Sequence, residues 1–331
     1  MKFSNDELML MAIAAGDKAR LHAPPNPWVG ALVVSEHGVV VSEGHTQVPG
    51  ESHAEVEALR RAGAAARGAT MVVTLEPCSH TGRTGPCAQA IIEAGVARVV
   101  VGTLDPDPRV SGGGVEMLRS AGVEVEVGVE EVAVRGQLAA YLWHRATGRP
   151  YVVAKVASTL DGVVAMADGT SQWITSEPAR RDAHVLRAQS QAIVVGAGTV
   201  RTDDPALTAR LDDIVLQPLR VVLGRAPEGA KVHPCLELSG DLEAVLDEIG
   251  RHDVVQVLVE GGPTTLSAFF AAGLVNHVVW YQAPAFAGAR GTRGALADLA
   301  TQTITQLRRG RVVDVRRIGE DVRMDVEVAW H

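Results

Sequence analysis

The residues best suited to chemistry are a histidine, a glutamate and two cysteines in the first third of the chain. His53-Ala54-Glu55 opens a predicted helix, and each cysteine follows a proline, in Pro77-Cys78 and Pro86-Cys87. Two thiolates and one imidazole leave the fourth tetrahedral position of a zinc ion free for water, which is typical of a catalytic rather than a structural zinc. The pattern predicts a catalytic zinc centre with the ligands His53, Cys78 and Cys87.

Glu55 is better suited to moving protons than to binding the metal. It lies two residues from His53, not the four that would stack both side chains on one helix face. Zinc lowers the pKa of a bound water to about 7, and a neighbouring carboxylate can carry the released proton to a leaving amine. Helix N-termini beside these residues favour thiolate and hydroxide. The predicted reaction is hydrolytic removal of ammonia from an aromatic amidine.

Simpler explanations exist for each of these residues taken alone. A buried cytosolic cysteine is usually a small hydrophobic residue, and His-x-Glu occurs often by chance. Their combination in one α/β unit favours the zinc site. Eight residues separate Cys78 from Cys87, whereas nucleobase deaminases carry the short Pro-Cys-x-x-Cys.

The second half of the chain contains two turns that could bind a phosphate or a dinucleotide. Val194 to Thr199 is a strand that runs into Gly196-Ala197-Gly198, and Leu258 to Thr264 is a strand that leads through Gly261-Gly262 into a helix. Glycines let a phosphate approach the backbone, and a helix start offers free N–H groups. Neither turn is the Gly-x-Gly-x-x-Gly fingerprint, and strand-to-helix turns need glycine for geometry alone.

Periodicity predicts the elements that must position these residues in the first half. Apolar residues at helical spacing from Leu8 to Ala19 predict a first helix that ends before Pro24-Pro25. Two Val-rich runs then predict a hairpin at Ala31 to Val34 and Gly38 to Val41. The predicted elements that follow alternate: helix 53–66, strand 70–75, helix 86–94, strand 98–101, a helix to 120 and strand 123–127. This order predicts a layered α/β domain.

A second alternating series follows the predicted linker at 145–150. It includes strands at 151–156, 192–195, 220–223 and 255–259, helices at 178–188 and 264–272, and a closing strand near 322–328. Residues 212–241 give the weakest sequence signals for helices and strands. At 331 residues, two domains are expected, and we place them at 1–146 and 150–331.

The composition of the chain argues against some classes of partner. The chain is 47% hydrophobic and 21% charged with a net charge of -8, which argues against a nucleic-acid partner. No run of about eighteen apolar residues predicts a membrane span. Three cysteines and a start without signal-peptide features make a disulfide framework unexpected, so we expect a cytoplasmic protein. The expected partner is a small molecule, and we expect a homo-oligomer.

Several motifs together resemble one known family. They are Pro25-Asn26-Pro27-Trp28-Val29-Gly30, His53-Ala54-Glu55-Val56, the run Thr74 to Cys87, Lys155 to Gly162, Ser171 to Ser176, Leu186 to Ser190 and Thr202 to Thr208. The chain resembles the bifunctional riboflavin-biosynthesis deaminase/reductase family over nearly its whole length. The resemblance implies a cytidine-deaminase-like layered α/β domain followed by a dihydrofolate-reductase-like α/β domain. It also implies zinc, NADPH and a pyrimidine ribosyl phosphate substrate.

The resemblance also assigns residues to these ligands. It implies zinc at His53, Cys78 and Cys87, with Glu55 as proton donor. For NADPH it implies Ala157, Trp173, Thr199, Asp203, Gly262, Pro263, Thr264, Thr265, Leu266, Ser267 and Ala268. For the substrates it implies Asn26, His80 and Arg83 in the first domain and Lys155, Ser171, Arg187, Leu207, Arg210 and Glu260 in the second. Arg187 and Arg210 could grip one phosphate bidentately, although surface ion pairs are the alternative for both arginines, and a solvated loop is the alternative for His80 and Arg83.

The chain departs from the family pattern after the strand 220–223. Gly224-Arg225 stands where the family usually has an aspartate-containing cofactor contact, and Arg225 could instead reach the 2'-phosphate of NADPH. Cys235 matches no ligand spacing and is interpreted as structural. The rival functions are an RNA-editing deaminase, a zinc-stabilised interaction module and a deaminase with a degenerate reductase domain.

Overall fold

The computed structural model describes residues 3–80, 85–107, 110–212, 216–288, 290–297, 299, 301–328 and 330. The chain divides into two compact units, Met1–Gly148 and Arg149–His331. In the described part of the chain, no helix combines the length and the apolar character that crossing a membrane requires.

The first unit is built on a five-stranded mixed sheet in the order β2-β1-β3-β4-β5. Its strands are β1 (Gly30–Val34), β2 (Val40–His45), β3 (Thr70–Leu75), β4 (Arg98–Thr103) and β5 (Glu124–Val127). The first strand is antiparallel to both of its neighbours, whereas β3, β4 and β5 run parallel. Because β1 is buried at every position and β3 and β4 at five of six, both faces of the sheet centre are covered.

Six α-helices of the described residues belong to this unit. They are α1 (Asn5–Asp17), α2 (Ala54–Ala62), α3 (Cys87–Glu93), α4 (Gly113–Ser120), α5 (Glu131–Gln137) and α6 (Ala139–Thr147). The first helix starts with a capping box, in which the Ser4 hydroxyl accepts from the Glu7 backbone and the Glu7 carboxylate accepts from Ser4. It packs closely on β1, since a Cβ at Gly30 would lie 1.8 Å from the Ala12 carbonyl oxygen.

The second unit contains an eight-stranded sheet in the order β10-β9-β8-β11-β6-β12-β15-β14 and a two-stranded sheet β13-β7. The strands are β6 (Tyr151–Thr159), β7 (Val163–Ala165), β8 (Ala192–Gly196), β9 (Leu219–Leu223), β10 (Leu236–Leu238), β11 (Gln256–Val259), β12 (His277–Ala283), β13 (Arg293–Gly294), β14 (Gly310–Ile318) and β15 (Asp321–Val328). The strands from β10 to β12 in this order are parallel, and β15 and β14 continue the sheet antiparallel.

Four helices, α7 (Glu177–Gln189), α8 (Ala197–Asp203), α9 (Leu242–Gly250) and α10 (Pro263–Ala271), belong to this unit. Strand alternation divides its core between the two faces of the sheet. In β8, Ala192 and Val194 join the cluster that includes Phe269, whereas Ile193 and Val195 join the cluster on the opposite face. The result is a three-layered α/β unit whose central strands carry apolar side chains on both faces.

The α/β class and most elements agree with the sequence prediction, and the differences have local causes. The first helix ends at Asp17 and continues as turns, and the predicted helix 53–66 is α2 followed by a 3-10 turn at Gly63–Ala66. The second hairpin strand begins at Val40, because Gly38 adopts a φ of 79° in the turn.

Candidate active sites

The structure brings the three predicted zinc ligands together. The Nδ1 atom of His53 lies 3.2 Å from Sγ of Cys87 and 3.7 Å from Sγ of Cys78. All three donor atoms lie within 4.8 Å of one another. Ligands that share a tetrahedral zinc ion are about 3.6 Å apart, as follows from Zn–S and Zn–N bond lengths. The donor set therefore fits a zinc ion, with one position open for water.

Two helix starts and one strand end position these donors. His53 precedes the first residue of α2, Cys87 is the first residue of α3, and Cys78 lies three residues after β3. The Cys87 amide donates to Sγ of Cys78 over 3.3 Å. Bonds from the Cys87 thiol and from His53 hold the pKa of the Cys78 thiol well below its usual range, despite its burial. Cys78 is thus prepared to bind a metal as a thiolate.

Glu76 holds the Cys78 segment in place, a role that the sequence analysis did not assign. This buried carboxylate accepts four backbone N–H groups, from Asp105 and Gly112 on one oxygen and from Gly114 and Val115 on the other, at 3.0 to 3.3 Å. A Cβ at Gly114 would lie 1.8 Å from the carbonyl oxygen of Pro77, so only glycine lets α4 approach this loop. An acidic residue directly before Pro-Cys, followed later by the run Gly112 to Gly114, was the available signal in the sequence.

Glu55 lies in the first turn of α2 with its side chain buried beside the metal-binding group. Burial raises its pKa to about 7, against the opposing influence of His53. A carboxyl group with a pKa near neutrality can both accept and donate a proton. The geometry therefore fits the acid/base role predicted for Glu55.

Of the three predicted substrate residues in the first unit, the structure describes two. Asn26 is half-buried in the turn before β1, where its backbone N–H donates to the Ala23 carbonyl. The Nδ1 atom of His80 is buried and has no hydrogen-bond partner among the described residues. Arg83 lies outside the described residues.

The second unit contains a large open cavity of about 1050 Å³. Most predicted reductase residues line it, namely Ala157, Trp173, Thr199, Asp203 and the turn 262–266 for the cofactor, and Lys155, Ser171, Arg187, Leu207, Arg210 and Glu260 for the substrate. Ser267 and Ala268 lie outside this lining. Ser267 is buried and its hydroxyl accepts from the Ala297 amide, whereas Ala268 is exposed on α10.

A buried carboxylate between two cations is the strongest electrostatic feature of the cavity. The Nε and Nη2 atoms of Arg187 donate to the two oxygens of Glu260 at 2.7 and 2.8 Å, and Nζ of Lys155 lies 3.8 Å from the same carboxylate. Burial would raise the pKa of Glu260, but Arg187 and Lys155 outweigh it and hold the pKa at about 2.

This pairing bears on the expectation that Arg187 and Arg210 grip one phosphate. The Nε and Nη2 atoms of Arg187 donate to Glu260, and its Nη1 donates to the Thr208 carbonyl at 3.2 Å. Three of the five N–H groups of Arg187 are therefore used within the protein in this arrangement. Arg210 lines the same cavity with an exposed side chain, while its backbone amide donates to His184.

Another wall of the cavity contains Leu207, whose backbone is strained, and the carboxyl group of Asp203. Leu207 is buried with a φ of 50°, a conformation that is unfavourable for a branched side chain and tends to persist at ligand-binding sites. Burial raises the pKa of Asp203, against a hydrogen bond with Ser171. Trp173 is 66% exposed, and the Arg180 guanidinium lies 4.7 Å from its ring centre.

In the glycine turns, two glycines are required for close packing and two others leave the backbone open to the cavity. A Cβ at Gly196 or Gly261 would lie 2.6 or 2.4 Å from the Thr265 side chain, so α10 requires glycine at both positions. By contrast, a Cβ at Gly198 would meet no atom within 4 Å, and Gly262 has its nearest neighbour, Thr199 Oγ1, at 3.7 Å. Backbone is therefore accessible from the cavity at the starts of α8 and α10.

Arg225, the residue suggested for the cofactor's 2'-phosphate, is exposed and is not among the cavity-lining residues. Lys231 lines the cavity, and its ammonium group lies 3.2 Å from a carboxylate oxygen of Asp204.

Comparison with known proteins identifies both domains. Residues 3–103 match the family model for the cytidine and deoxycytidylate deaminase zinc-binding region, and residues 150–324 match that for the RibD C-terminal domain. The riboflavin biosynthesis protein RibD of Mycobacterium tuberculosis H37Rv is 43% identical, with 98% of this chain and 97% of the relative covered.

Solved structures of full-length relatives show the same likeness. Acinetobacter baumannii RibD superposes with a TM-score of 0.90 at 37% identity, with 98% of this chain and 99% of that chain covered. A Thermotoga maritima diaminohydroxyphosphoribosylaminopyrimidine deaminase/5-amino-6-(5-phosphoribosylamino)uracil reductase gives 0.86 at 34% identity, with coverage of 98% and 99%.

The fold and the sites define a two-domain enzyme that joins a zinc-type deaminase to a reductase. The chain belongs to the RibD family, the bifunctional deaminase/reductases of riboflavin biosynthesis.

Replacing Glu76 tests its positioning role. In Glu76→Gln an amide N–H₂ faces backbone donors, so we expect a loss of stability of about 1–3 kcal/mol together with a lower zinc content per chain. Glu93→Gln, at the exposed end of α3, should change neither property. Chemical denaturation and metal analysis measure both, and unchanged zinc retention in Glu76→Gln would contradict the role.

Proposed function

We propose that the enzyme deaminates 2,5-diamino-6-(5-phosphoribosylamino)pyrimidin-4(3H)-one and then reduces the ribosyl group of the product to ribityl with NADPH. The proposal assigns the deaminase to residues 1–146 and the reductase to residues 150–331. The observation that carries it is the convergence of His53, Cys78 and Cys87 beside the buried Glu55.

In the deaminase, His53, Cys78 and Cys87 would hold zinc, which supplies a water acidified to a pKa of about 7. Glu55 takes the proton of the attacking water and delivers it to the exocyclic amine nitrogen as the C–N bond breaks. One C–O bond forms, one C–N bond is lost and ammonia leaves. Burial of Glu55 excludes bulk water from this transfer and keeps its pKa near neutrality.

We assign Asn26, His80 and Arg83 to binding of the diaminopyrimidine phosphate. Support for His80 comes from its buried Nδ1, which has no partner among the described residues and could accept or donate a hydrogen bond to the ligand. Asn26 and Arg83 rest on the resemblance of their motifs alone.

In the reductase, we place NADPH along Ala157, Trp173, Thr199, Asp203 and the turn 262–266. The accessible backbone at Gly198 and Gly262 supports phosphate binding there. Ser267 and Ala268 lie further along α10 and would support this turn rather than touch the cofactor.

We assign Lys155, Ser171, Leu207 and Glu260 to the ribosyl end of the substrate and Arg210 to its phosphate. Arg187 fixes the Glu260 carboxylate, which leaves the exposed guanidinium of Arg210 as the phosphate ligand.

Cys78 and Cys87 must stay reduced to bind a metal, which suits the cytoplasmic location that we propose.

Glu55→Gln tests the deaminase assignment. The amide keeps the size of the side chain but cannot carry the proton, so ammonia release should fall by about 10²- to 10⁴-fold while zinc content stays unchanged. Reduction of the deaminated substrate by NADPH should be unaffected. The exposed Glu51→Gln serves as control. Normal ammonia release by a zinc-loaded Glu55→Gln enzyme would exclude the proposed role.

Arg210→Ala tests the phosphate assignment. Loss of a charge-assisted hydrogen bond should raise the KM of the reductase for its phosphorylated substrate by about 10- to 100-fold and leave ammonia release unchanged. Arg181→Ala removes an exposed arginine of α7 outside the cavity lining and should have no effect. Steady-state NADPH oxidation measures both, and equal KM values for wild type and Arg210→Ala would refute the assignment.

We also propose a homo-oligomer formed through β14. This strand is an edge of the sheet, and it exposes eight of its nine residues, with Val312 and Val315 at 56% and 57%. An exposed apolar edge is a template for pairing, and a second copy of the same edge can pair with it about a two-fold axis.

Lysines on this edge should prevent the pairing. We expect wild type to be a dimer or larger by light scattering and Val312→Lys/Val315→Lys to be monomeric. Val132→Lys, at an 80% exposed position on α5, is the control and should keep the wild-type mass. A monomeric wild type, or an unchanged mass in the double variant, would contradict the proposal.

A further inference from the structure

A second group of metal-binding side chains lies on the edge strand of the reductase sheet. His233, Cys235 and Glu237 alternate along the segment that enters β10, and their three ligand atoms lie within 4.8 Å of one another. Of the three residues, only Glu237 lies within β10, and the path of the chain from His233 into this strand brings the ligand atoms together. Spacing alone gave Cys235 no partner, because the sequence does not show the local path of this segment.

Hydrogen bonds prepare His233 for this role. Its Nε2 lies 3.1 Å from the Pro227 carbonyl oxygen, which can only accept, so Nε2 carries the ring proton. The lone pair of Nδ1 therefore faces Sγ of Cys235, at 3.5 Å. A ligating histidine whose other nitrogen donates to a backbone carbonyl is the arrangement that orients imidazoles at metal sites.

Glu237 is oriented by the same turn. Its Oε1 accepts from the Ala226 amide at 2.9 Å, which fixes the carboxylate and leaves the other oxygen for a ligand. Both outer contacts, at Ala226 and Pro227, belong to the chain that follows β9. The side chains of His233 and Glu237 are thus both tied to the backbone of this turn.

We propose that His233, Cys235 and Glu237 form a second zinc-type site, separate from the deaminase centre and with water in the fourth position. The 3.5 Å between nitrogen and sulfur matches the separation of about 3.6 Å expected for two ligands of one tetrahedral zinc ion. Imidazole, thiolate and carboxylate are all zinc ligands. On binding, the Cys235 thiol releases its proton to solvent.

The site would brace a loop of the reductase cavity. An ion held by these three residues would fix the side chains that contact the turn at 226–227. The same loop continues to Lys231, whose amide and ammonium both contact Asp204. Because Lys231 and Asp204 line the cavity, metal binding at the edge strand would stiffen a loop of that cavity wall.

Cobalt titration of the full-length chain separates the two centres, because thiolate-to-cobalt charge transfer reports sulfur ligands. The chain has three cysteines, so Cys78→Ser/Cys87→Ser leaves Cys235 as its one thiol. We expect two cobalt ions per wild-type chain, one per Cys235→Ser chain and one per Cys78→Ser/Cys87→Ser chain, with a charge-transfer band in all three. Adding Cys235→Ser to the double variant should abolish the band.

Matched variants identify the other two ligands. His233→Ala and Glu237→Gln should weaken binding at the second site, whereas His252→Ala and Glu228→Gln, at exposed positions outside the group, should not. Zinc should raise the Tm of Cys78→Ser/Cys87→Ser and have no such effect once Cys235 is also replaced.

Identical cobalt stoichiometry and spectra for wild type and Cys235→Ser would overturn the proposal, and this comparison needs no change in the deaminase centre. Unchanged binding in His233→Ala would overturn the assigned ligand set. Because both tests read metal bound at Cys235, they are independent of whether the deaminase or the reductase is active.

Discussion

The deaminase centre depends on one buried carboxylate that satisfies four backbone donors. The bonds of Glu76 tie the loop that carries Cys78 to the start of α4. Those four donors would also be left without partners in the interior, at a cost of about 1–3 kcal/mol each. The position of Cys78 as a metal ligand thus depends on the buried carboxylate of Glu76, which directly follows β3.

A buried carboxylate at a strand end also shapes the site of the second unit. In open α/β sheets, ligands bind beyond the carboxyl ends of the parallel strands. Glu260 follows β11, and Gly198 follows β8, so a carboxylate and an open backbone meet in one cavity. Arg187 and Lys155 keep Glu260 charged there, because a buried carboxylate without cations would take up a proton.

The sequence predicted what depends on residue type and short spacing. The α/β class, most strands and the group of His53, Cys78 and Cys87 follow from periodicity and from the few residues that bind zinc. The sequence could not predict which side chains pair across the fold. The sequence suggests Arg187 as a phosphate ligand, yet two of its N–H groups donate to Glu260, 73 positions away. The same holds for His233, Cys235 and Glu237, whose ligand atoms come together through the path of the chain into β10.

The central claim is that one chain carries out both reactions in order on a free pyrimidine ribosyl phosphate. The most direct test is to give the zinc-loaded wild-type enzyme the diaminopyrimidine phosphate and to follow ammonia release and NADPH oxidation separately in one reaction. The account predicts one ammonia and one NADPH per substrate molecule, with NADPH oxidation lagging behind ammonia release. Ammonia release without any NADPH oxidation, or NADPH oxidation that precedes it, would contradict the account.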